Sequence, residues 1–236
     1  MAFVDHFSQI AARYAAYRPH YPAALLELLA LQAPARGLAW DAGCGNGQLG
    51  VGLATRFARV IATDPSAQQL AAAAPGCEYR CEPAEQSTLA TQSCDLVVAA
   101  QAAHWFDWPR FVAEVGRVAK PGALVALVSY GVVRFAGDAP LQAFLAATEP
   151  HWPPGREHVD DGYQRLVWPW PAIAAPALEL VEHWTGEEIL GYVGTWSATQ
   201  RLAAAEGTTA IEALAAALPS ERRAVRWPLV VKLARR

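Results

Sequence analysis

The chain has 236 residues and a mass of 25.4 kDa, enough to bury one core of α/β size. Hydrophobic residues make up 53% against 17% charged, which excludes a disordered chain. A formal net charge of −3 and a pI near 6.1 exclude a broadly basic, phosphate-neutralising surface, so no nucleic-acid partner is expected.

The 50 alanines and the excess of 17 Arg over 2 Lys read as codon composition before function. Arg222, Arg223, Arg226, Arg235 and Arg236 read as solvated surface charge. Charged, Gly or Pro residues interrupt every apolar stretch before ~18 residues, so no membrane span is expected. Met1 to Tyr17 carry Asp5, His6 and Arg13 and no apolar signal core, which points to the cytoplasm. Cys44, Cys77, Cys81 and Cys94 form no C-x-x-C pair, so the expectation is reduced thiols and no metal site.

Residues 5–16 carry Phe7, Ile10 and Tyr14 at helical spacing, and Arg18-Pro19 and Tyr21-Pro22 break the pattern. Pro22 suits the first turn of a helix over Ala23 to Leu31, with Leu25, Leu28 and Leu29 on one face. Strands and helices then alternate. Gly37 to Asp41 reads as a buried strand, and a glycine-rich turn leads into a helix ending near Phe57. Arg59 to Thr63 is a second strand, and Ser66 caps a helix through Ala73. Cys77 to Arg80 and Cys94 to Ala100 are the third and fourth strands. A helix over Trp108 to Ala119 and a fifth strand over Leu124 to Ser129 follow. Repeated βα units imply a mostly parallel sheet with helices on both faces.

Residues 138–176 hold 7 of the 17 prolines together with Trp152, Trp168 and Trp170, and read as a packed insertion. Ala177 to Trp184 is a sixth strand; Glu187 to Glu206 and Thr208 to Leu218 are helices. Val225 to Leu233 alternates as an edge strand. The expected organisation is a single domain over 1–236: a helical lid over 1–35, a cofactor-binding core over 36–130, and a substrate cap with closing strands over 131–236.

The strongest motif is Asp41-Ala-Gly-Cys-Gly-Asn-Gly-Gln-Leu49, at the C-terminal end of the first strand, where open α/β sheets bind ligands. Asp64 closes the second strand, where a carboxylate can accept both hydroxyls of a ribose. Gly45-x-Gly47-x-x-Gly50 also fits a dinucleotide fingerprint, with Asp64 19 residues past Gly45. Two features weigh against NAD. A carboxylate at Asp41 would repel a pyrophosphate but suits an ammonium. In addition, about 35 residues precede the first strand, whereas dinucleotide domains begin with it. S-adenosylmethionine (SAM) has an amino-acid tail, a ribose and no phosphate, and it fits the motif.

These residues resemble motif I of the class I SAM-dependent methyltransferases. Thr63-Asp64, Pro83-Ala84-Glu85, Cys94-Asp95-Leu-Val and Lys120-Pro121-Gly122 match in order. The stretches Ala12 to Pro22 and Gln101-Ala-Ala-His-Trp-Phe-Asp107 resemble the trans-aconitate methyltransferase-like (methyltransferase type 11) branch of small-molecule enzymes. The resemblance is strong over 5–130 and loose beyond, where Val159 to Tyr163 and Trp168-Pro-Trp170 share it. It implies a Rossmann-like, seven-stranded, mostly parallel sheet whose last strand is antiparallel. It also implies that Gly43 and Gly45 back the methionine moiety, that Asp41 reaches its ammonium and that Asp64 holds the ribose. Ala84 and Glu85 would flank the adenine, and Gln101 would line the methionine side. The product would be S-adenosylhomocysteine (SAH).

Methyl transfer needs an in-line nucleophile about 3 Å from the methyl carbon, and orientation can supply most of the effect. His104 is a candidate base for an acceptor that must lose a proton; alternatively, His104 and Trp105 form a wall. Tyr17 and Arg18 are expected to close over the cofactor, and Arg18 could instead pair with a substrate carboxylate or within its own lid. Tyr130, Trp105 and Trp152 are candidate substrate residues. The partner is a small-molecule methyl acceptor, and the protein a monomer or homodimer. An NAD-dependent oxidoreductase and a non-catalytic SAM-binding protein remain the alternatives.

Overall fold

The computed structural model describes residues 17–131, 133 and 139–236. The helix expected over 5–16, with Phe7, Ile10 and Tyr14, lies outside the described residues.

Helix α1 (Ala23–Gln32) follows Pro22 and buries Leu25 and Leu29 completely. Then come β1 (Leu38–Ala42), α2 (Gln48–Leu53), β2 (Arg59–Thr63), α3 (Ala67–Ala71), β3 (Glu78–Arg80), β4 (Cys94–Ala100), α4 (Trp108–Val118) and β5 (Ala119–Tyr130). The C-terminal part holds α5 (Ala139–Thr148), α6 (Arg156–Asp160), β6 (Ala172–Ile173), β7 (Leu178–Trp184), α7 (Gly186–Val193), α8 (Ser197–Glu206), α9 (Thr209–Ala217) and β8 (Arg223–Arg235).

The sheet order is β3-β2-β1-β4-β5-β8, with β6 and β7 both on the far side of β8. Strands β1 to β5 pair in parallel, and β8 runs antiparallel to its neighbours. Ala172 pairs with Ala234 and Leu178 with Leu229, so β6 and β7 are two pieces of one interrupted lane. Eight strands therefore occupy the seven lanes expected.

Strand alternation divides the core between the two faces of the sheet. Ala39, Leu96, Val98, Leu124, Ala126 and Val128 pack with α1 and the aromatic residues of the cap. Trp40, Ala42, Val97, Ala99, Val125 and Leu127 pack against Phe111, Val115 and Val118 of α4 and against Tyr163. Trp40 is fully buried, yet its indole N–H donates to Thr63 Oγ1 at 3.0 Å, so no polar group is stranded there.

Capping chemistry places the helix starts. Ser66 Oγ accepts from Gln69 N at 3.3 Å, as expected from sequence, and Asp107 Oδ1 accepts from Arg110 N. Thr185 and Glu188 exchange backbone and side-chain bonds in a capping box at the start of α7.

Two expectations are corrected. The helix expected over Glu187 to Glu206 is two helices. The Thr195 and Thr199 hydroxyls donate to the carbonyls of Tyr192 and Val193, each at 2.6 Å, and satisfy the end of α7 before α8 begins. Strand β8 is interior, not an edge. Its alternation is the same in either place, and Pro228, an edge signal, sits one residue beyond the last rung shared with β5, Tyr130↔Leu229. The terminal arginines also do more than meet solvent: Arg235 Nη1 donates to the Gln32 carbonyl at 2.7 Å, and Arg226 pairs with Glu179.

Candidate active site

The glycine loop leaves β1 at Ala42 and is tied to the end of β2. Gly43 N and Cys44 N both donate to the Thr63 carbonyl, at 2.8 and 2.9 Å. Asp64 Oδ2 accepts from Gly45 N and Oδ1 from Ser66 N, each at 2.9 Å. The Asp64 carboxylate thus joins the loop to the start of α3. Gly43 has φ +69°, and a Cβ there would lie 2.6 Å from Ala102 Cβ and 2.9 Å from the Phe106 ring. Only glycine lets the turn after β4 approach this closely.

Asp41 is 1% exposed, and neither carboxylate oxygen has a hydrogen-bond partner. Burial, reinforced by the charge of Asp64 and opposed by the nearby Gly50 backbone, pushes its carboxyl up to about 7. An unpartnered buried carboxylate is expensive, and a cationic ligand group is what it lacks. Gln69 Oε1 is a second buried, unpartnered acceptor; a Cβ on Gly45 would meet it at 3.9 Å. Among the described residues the N–H groups of Ala84 and Glu85 donate to nothing. The Glu85 side chain is committed elsewhere, accepting from Asp107 N at 2.8 Å. The residues present therefore fit a ligand with an ammonium tail. Cys44 is no nucleophile: burial first, then Asp41 and Asp64, drives its thiol far above the ordinary range.

The turn over 101–106 faces two ways. Ala102 and Phe106 touch Gly43, whereas Gln101, His104 and Trp105 line a cavity of about 80 Å3. Gln101 has φ +54°, unusual for a residue with a side chain, and is fixed by two bonds. Its N–H donates to the Val128 carbonyl, and its Nε2 to the Tyr130 carbonyl at 2.7 Å. Tyr130 closes β5 and lines the same cavity, and Arg18 Nη1 donates to its hydroxyl at 3.3 Å. Trp152, Arg156, Tyr192 and Trp196 complete the cap side.

His104 Nδ1 lies 3.1 Å from the Tyr163 hydroxyl, with the two rings stacked. Burial first, then the neighbouring Arg156 guanidinium and His158 ring, hold its pKa down to about 3.

The structure brings Arg18, Gln101, His104, Trp105, Tyr130 and Trp152 to one cavity. Asp41, Gly43, Gly45 and Asp64 lie at the neighbouring strand ends, and Ala84 and Glu85 follow β3. Tyr17 packs against α7, where a Cβ on Gly191 would meet its ring at 2.5 Å. Arg18 sits 5.6 Å from the Tyr192 ring centroid. Sequence reasoning missed Arg156, Tyr192, Trp196 and Gln69. The cap residues have no motif spacing, although the Val159 to Tyr163 stretch beside Arg156 was a pointer.

A glycine loop at the first switch of a 3-2-1-4-5 sheet, an orphaned acid and a neighbouring cavity define a group-transfer fold of the methyltransferase kind. A methyltransferase-domain family model matches residues 40–127. A Dictyostelium discoideum protein described as a methyltransferase is 30% identical over 204 residues, covering 83% of this chain and 78% of its own. A solved Anaeromyxobacter dehalogenans protein, described as a type II methyltransferase, is 42% identical with a TM-score of 0.83. That match covers 93% of this chain and 98% of the other. An uncharacterised methyltransferase of Mycobacterium bovis is 37% identical over 125 residues, and there the chain spans about half of either length. The chain belongs to the class I SAM-dependent methyltransferases. The dinucleotide register of its glycines, and the oxidoreductase it suggested, fall away. No helix among the described residues is long and apolar enough to cross a membrane.

Proposed function

We propose that this enzyme methylates a small-molecule acceptor held in the cavity between the turn after β4 and the cap. The observation that carries the reading is the two-faced turn over 101–106. It touches the glycine loop through Ala102 and Phe106 and the cavity through Gln101, His104 and Trp105. Donor and acceptor sites thus share one wall. SAM, when bound, supplies an electrophilic methyl on a sulfonium.

In this reading Asp41 takes the ammonium of the amino-acid tail, with Gly43 and Gly45 behind the tail. Asp64 takes the ribose hydroxyls, since a carboxylate has about four lone-pair sites. Ala84 or Glu85 N–H donates to an adenine nitrogen. Gln101, locked by Tyr130 and Val128, fixes the boundary between donor and acceptor. Transfer is direct and in line, so the protein's work is orientation and exclusion of water. A His104 held near pH 3 is a weak base at neutral pH, and its bond to Tyr163 makes it a wall that orients rather than titrates. An acceptor that arrives ionised suits such a site.

The lid, core and cap boundaries at 35 and 130 belong to the same proposal, as do the cytoplasmic setting and the monomer or homodimer. Thermal denaturation with SAH and with NAD tests it, followed by transfer of labelled methyl into the small-molecule fraction. SAH should raise the midpoint and NAD should not. Stabilisation by NAD alone, or label confined to protein, overturns it; tight SAH binding with no turnover over a broad acceptor panel favours a non-catalytic SAM-binding protein.

A further inference from the structure

The turn that follows α6 carries two consecutive residues with positive φ, Gly162 at +65° and Tyr163 at +61°. For a tyrosine that conformation is costly, and it persists only where the surroundings fix it. Here they fix it from both sides. Tyr163 N donates to the His158 carbonyl at 2.7 Å, and Lys232 Nζ of β8 donates to the Tyr163 carbonyl at 2.8 Å. A Cβ on Gly162 would meet Val230 of β8 at 3.0 Å, so glycine lets the turn seat against the closing strand.

The turn aims the Tyr163 ring. The ring is completely buried on the α4 side of the sheet, and its hydroxyl lies 3.1 Å from His104 Nδ1. That hydrogen bond has a direction. Burial pushes the Tyr163 phenol far above its ordinary range, so it keeps its proton. A fully buried hydroxyl needs an acceptor for that proton. Among the described residues its side-chain partner is His104 Nδ1. The Ala103 backbone N–H beside the hydroxyl is itself a donor and cannot take the proton. A proton on Nδ1 would therefore leave the phenol proton buried without an acceptor, at a cost no other contact offsets. The His104 ring, with a pKa of about 3, is neutral at ordinary pH and carries one N–H. With Nδ1 accepting, that N–H is on Nε2. His104 lines the cavity, and its Nε2 bonds to no described residue.

We infer that Tyr163 is a positioning residue for methyl transfer: its hydroxyl donates to His104 Nδ1 and fixes the imidazole in the tautomer that presents Nε2–H to the acceptor cavity. The inference rests on the acceptor-cavity reading above and goes beyond it, because the wall at His104 becomes a hydrogen-bond donor of fixed polarity. Such a donor takes one lone pair of an oxygen or nitrogen of the acceptor and leaves the attacking lone pair in line with the methyl. It removes no proton from the acceptor, since Nδ1 is occupied and Nε2 already carries its hydrogen. Lys232 and Val230 act one step further back, by holding the turn that aims the Tyr163 ring.

The first test needs no acceptor. Protein labelled with 15N-histidine is followed by two-bond 1H–15N correlation NMR with SAH present, and the His104 signals are assigned by their loss in His104→Gln. The wild type should show Nε2 protonated and Nδ1 bare at pH 6 and pH 8 alike. Tyr163→Phe should move the Nδ1 resonance downfield, as a lone pair that loses its donor does. An Nδ1–H tautomer in the wild type, or an Nδ1 resonance indifferent to Tyr163→Phe, overturns the inference.

The second test is transfer of labelled methyl from SAM into the small-molecule fraction. Tyr163→Phe should lower the rate about 10-fold while SAH affinity holds. His104→Gln keeps an N–H near the Nε2 position, whereas the shorter amide of His104→Asn reaches only the Nδ1 position. The Gln variant should therefore be the faster of the two, and the reverse order overturns the inference. In the His104→Gln background Tyr163→Phe should cost about 3-fold or less, because the hydroxyl acts through the imidazole. An equal cost in both backgrounds would mark a purely structural tyrosine and overturns the inference. If Tyr163→Phe does not fold, the wild-type tautomer and the order of the two His104 variants decide. Absent SAH binding or absent label transfer in the wild type sinks the methyl-transfer reading, whereas normal transfer with any of the contrary results sinks this one alone.

Discussion

Asp41 should oppose folding and serve the cofactor, and Asp41→Asn separates the two roles. In the unfolded chain this carboxyl ionises near pH 4; in the folded protein burial holds it at about 7. Between those values the folded state holds one more proton than the unfolded state. Its stability therefore falls as pH rises and levels off above 7. At about 1.4 kcal/mol per decade the full penalty is about 4 kcal/mol, of which about 3 kcal/mol accrues between pH 5 and pH 8. Asparagine has no such titration. Its own unpaired amide costs about 1–3 kcal/mol, a cost that does not vary with pH. The informative quantity is thus the change in the difference between variant and wild type. Urea unfolding without ligand at pH 5 and pH 8 should show the variant gaining about 3 kcal/mol on the wild type across that interval. Calorimetry with SAH at pH 8 should show the opposite sign, an affinity loss of about 10-fold or more, because the amide cannot neutralise the ammonium. A stability difference that stays flat with pH would refute the buried-charge argument. Unchanged SAH affinity would refute the ammonium role.

Four further perturbations follow from contacts described above. Gly43→Ala should abolish SAH binding and lower stability by about 1–3 kcal/mol, since its Cβ would strike Ala102 and Phe106; SAH calorimetry and denaturation read both. Gly191→Ala should push Tyr17 away from α7 and lower stability by about 1–3 kcal/mol, read by urea unfolding. Asp95 is held in its ionised form. Burial opposes this but is outweighed by Lys120 Nζ at 2.6 Å and by the Leu38 and Gly37 N–H groups. Lys120→Met should cost about 2–3 kcal/mol at pH 7, with less cost as acid protonates Asp95 in both proteins; urea unfolding against pH checks it. His104→Gln should blunt acid sensitivity. A ring held at about 3 when folded and near 6.5 when unfolded withdraws stability as pH falls below 6.5, so the wild type should lose ground to the variant between pH 6.5 and pH 4.

The cofactor half of the molecule was legible because its chemistry is carried by local sequence. Asp41 and Asp64 end adjacent parallel strands, and glycines lie where the backbone turns with positive φ. Ser66 caps the next helix from the position its residue type suggests. The acceptor half was legible only in part, with Arg18, Trp105, Tyr130 and Trp152 expected and Arg156, Tyr192 and Trp196 missed, for a physical reason. Its cavity is assembled from Arg18, Tyr130, Trp152, Arg156 and Tyr192, which come from the segment before α1, a strand end and three separate parts of the cap, with no fixed spacing. The tryptophans show the limit most clearly. Trp184, Trp196 and Trp227 pack with Tyr192 at centroid distances of 5.4–5.5 Å, whereas Trp108, Trp168 and Trp170 form a second group on the α4 side. Only Trp105, Trp152 and Trp196 also face the cavity. Residue type alone cannot separate those roles, because an indole satisfies a core and a binding wall by the same burial. Strand β8 has the same ambiguity: its alternation fixes which side chains point inward but not whether one or both backbone edges are paired. The cavity depends on the register with which the cap docks, and Gly155, Gly162 and Tyr163, all with positive φ, are local conformations that mark it. A left-handed glycine against the His104 carbonyl ties the first cap helix to the strand end where the cofactor loop also arrives.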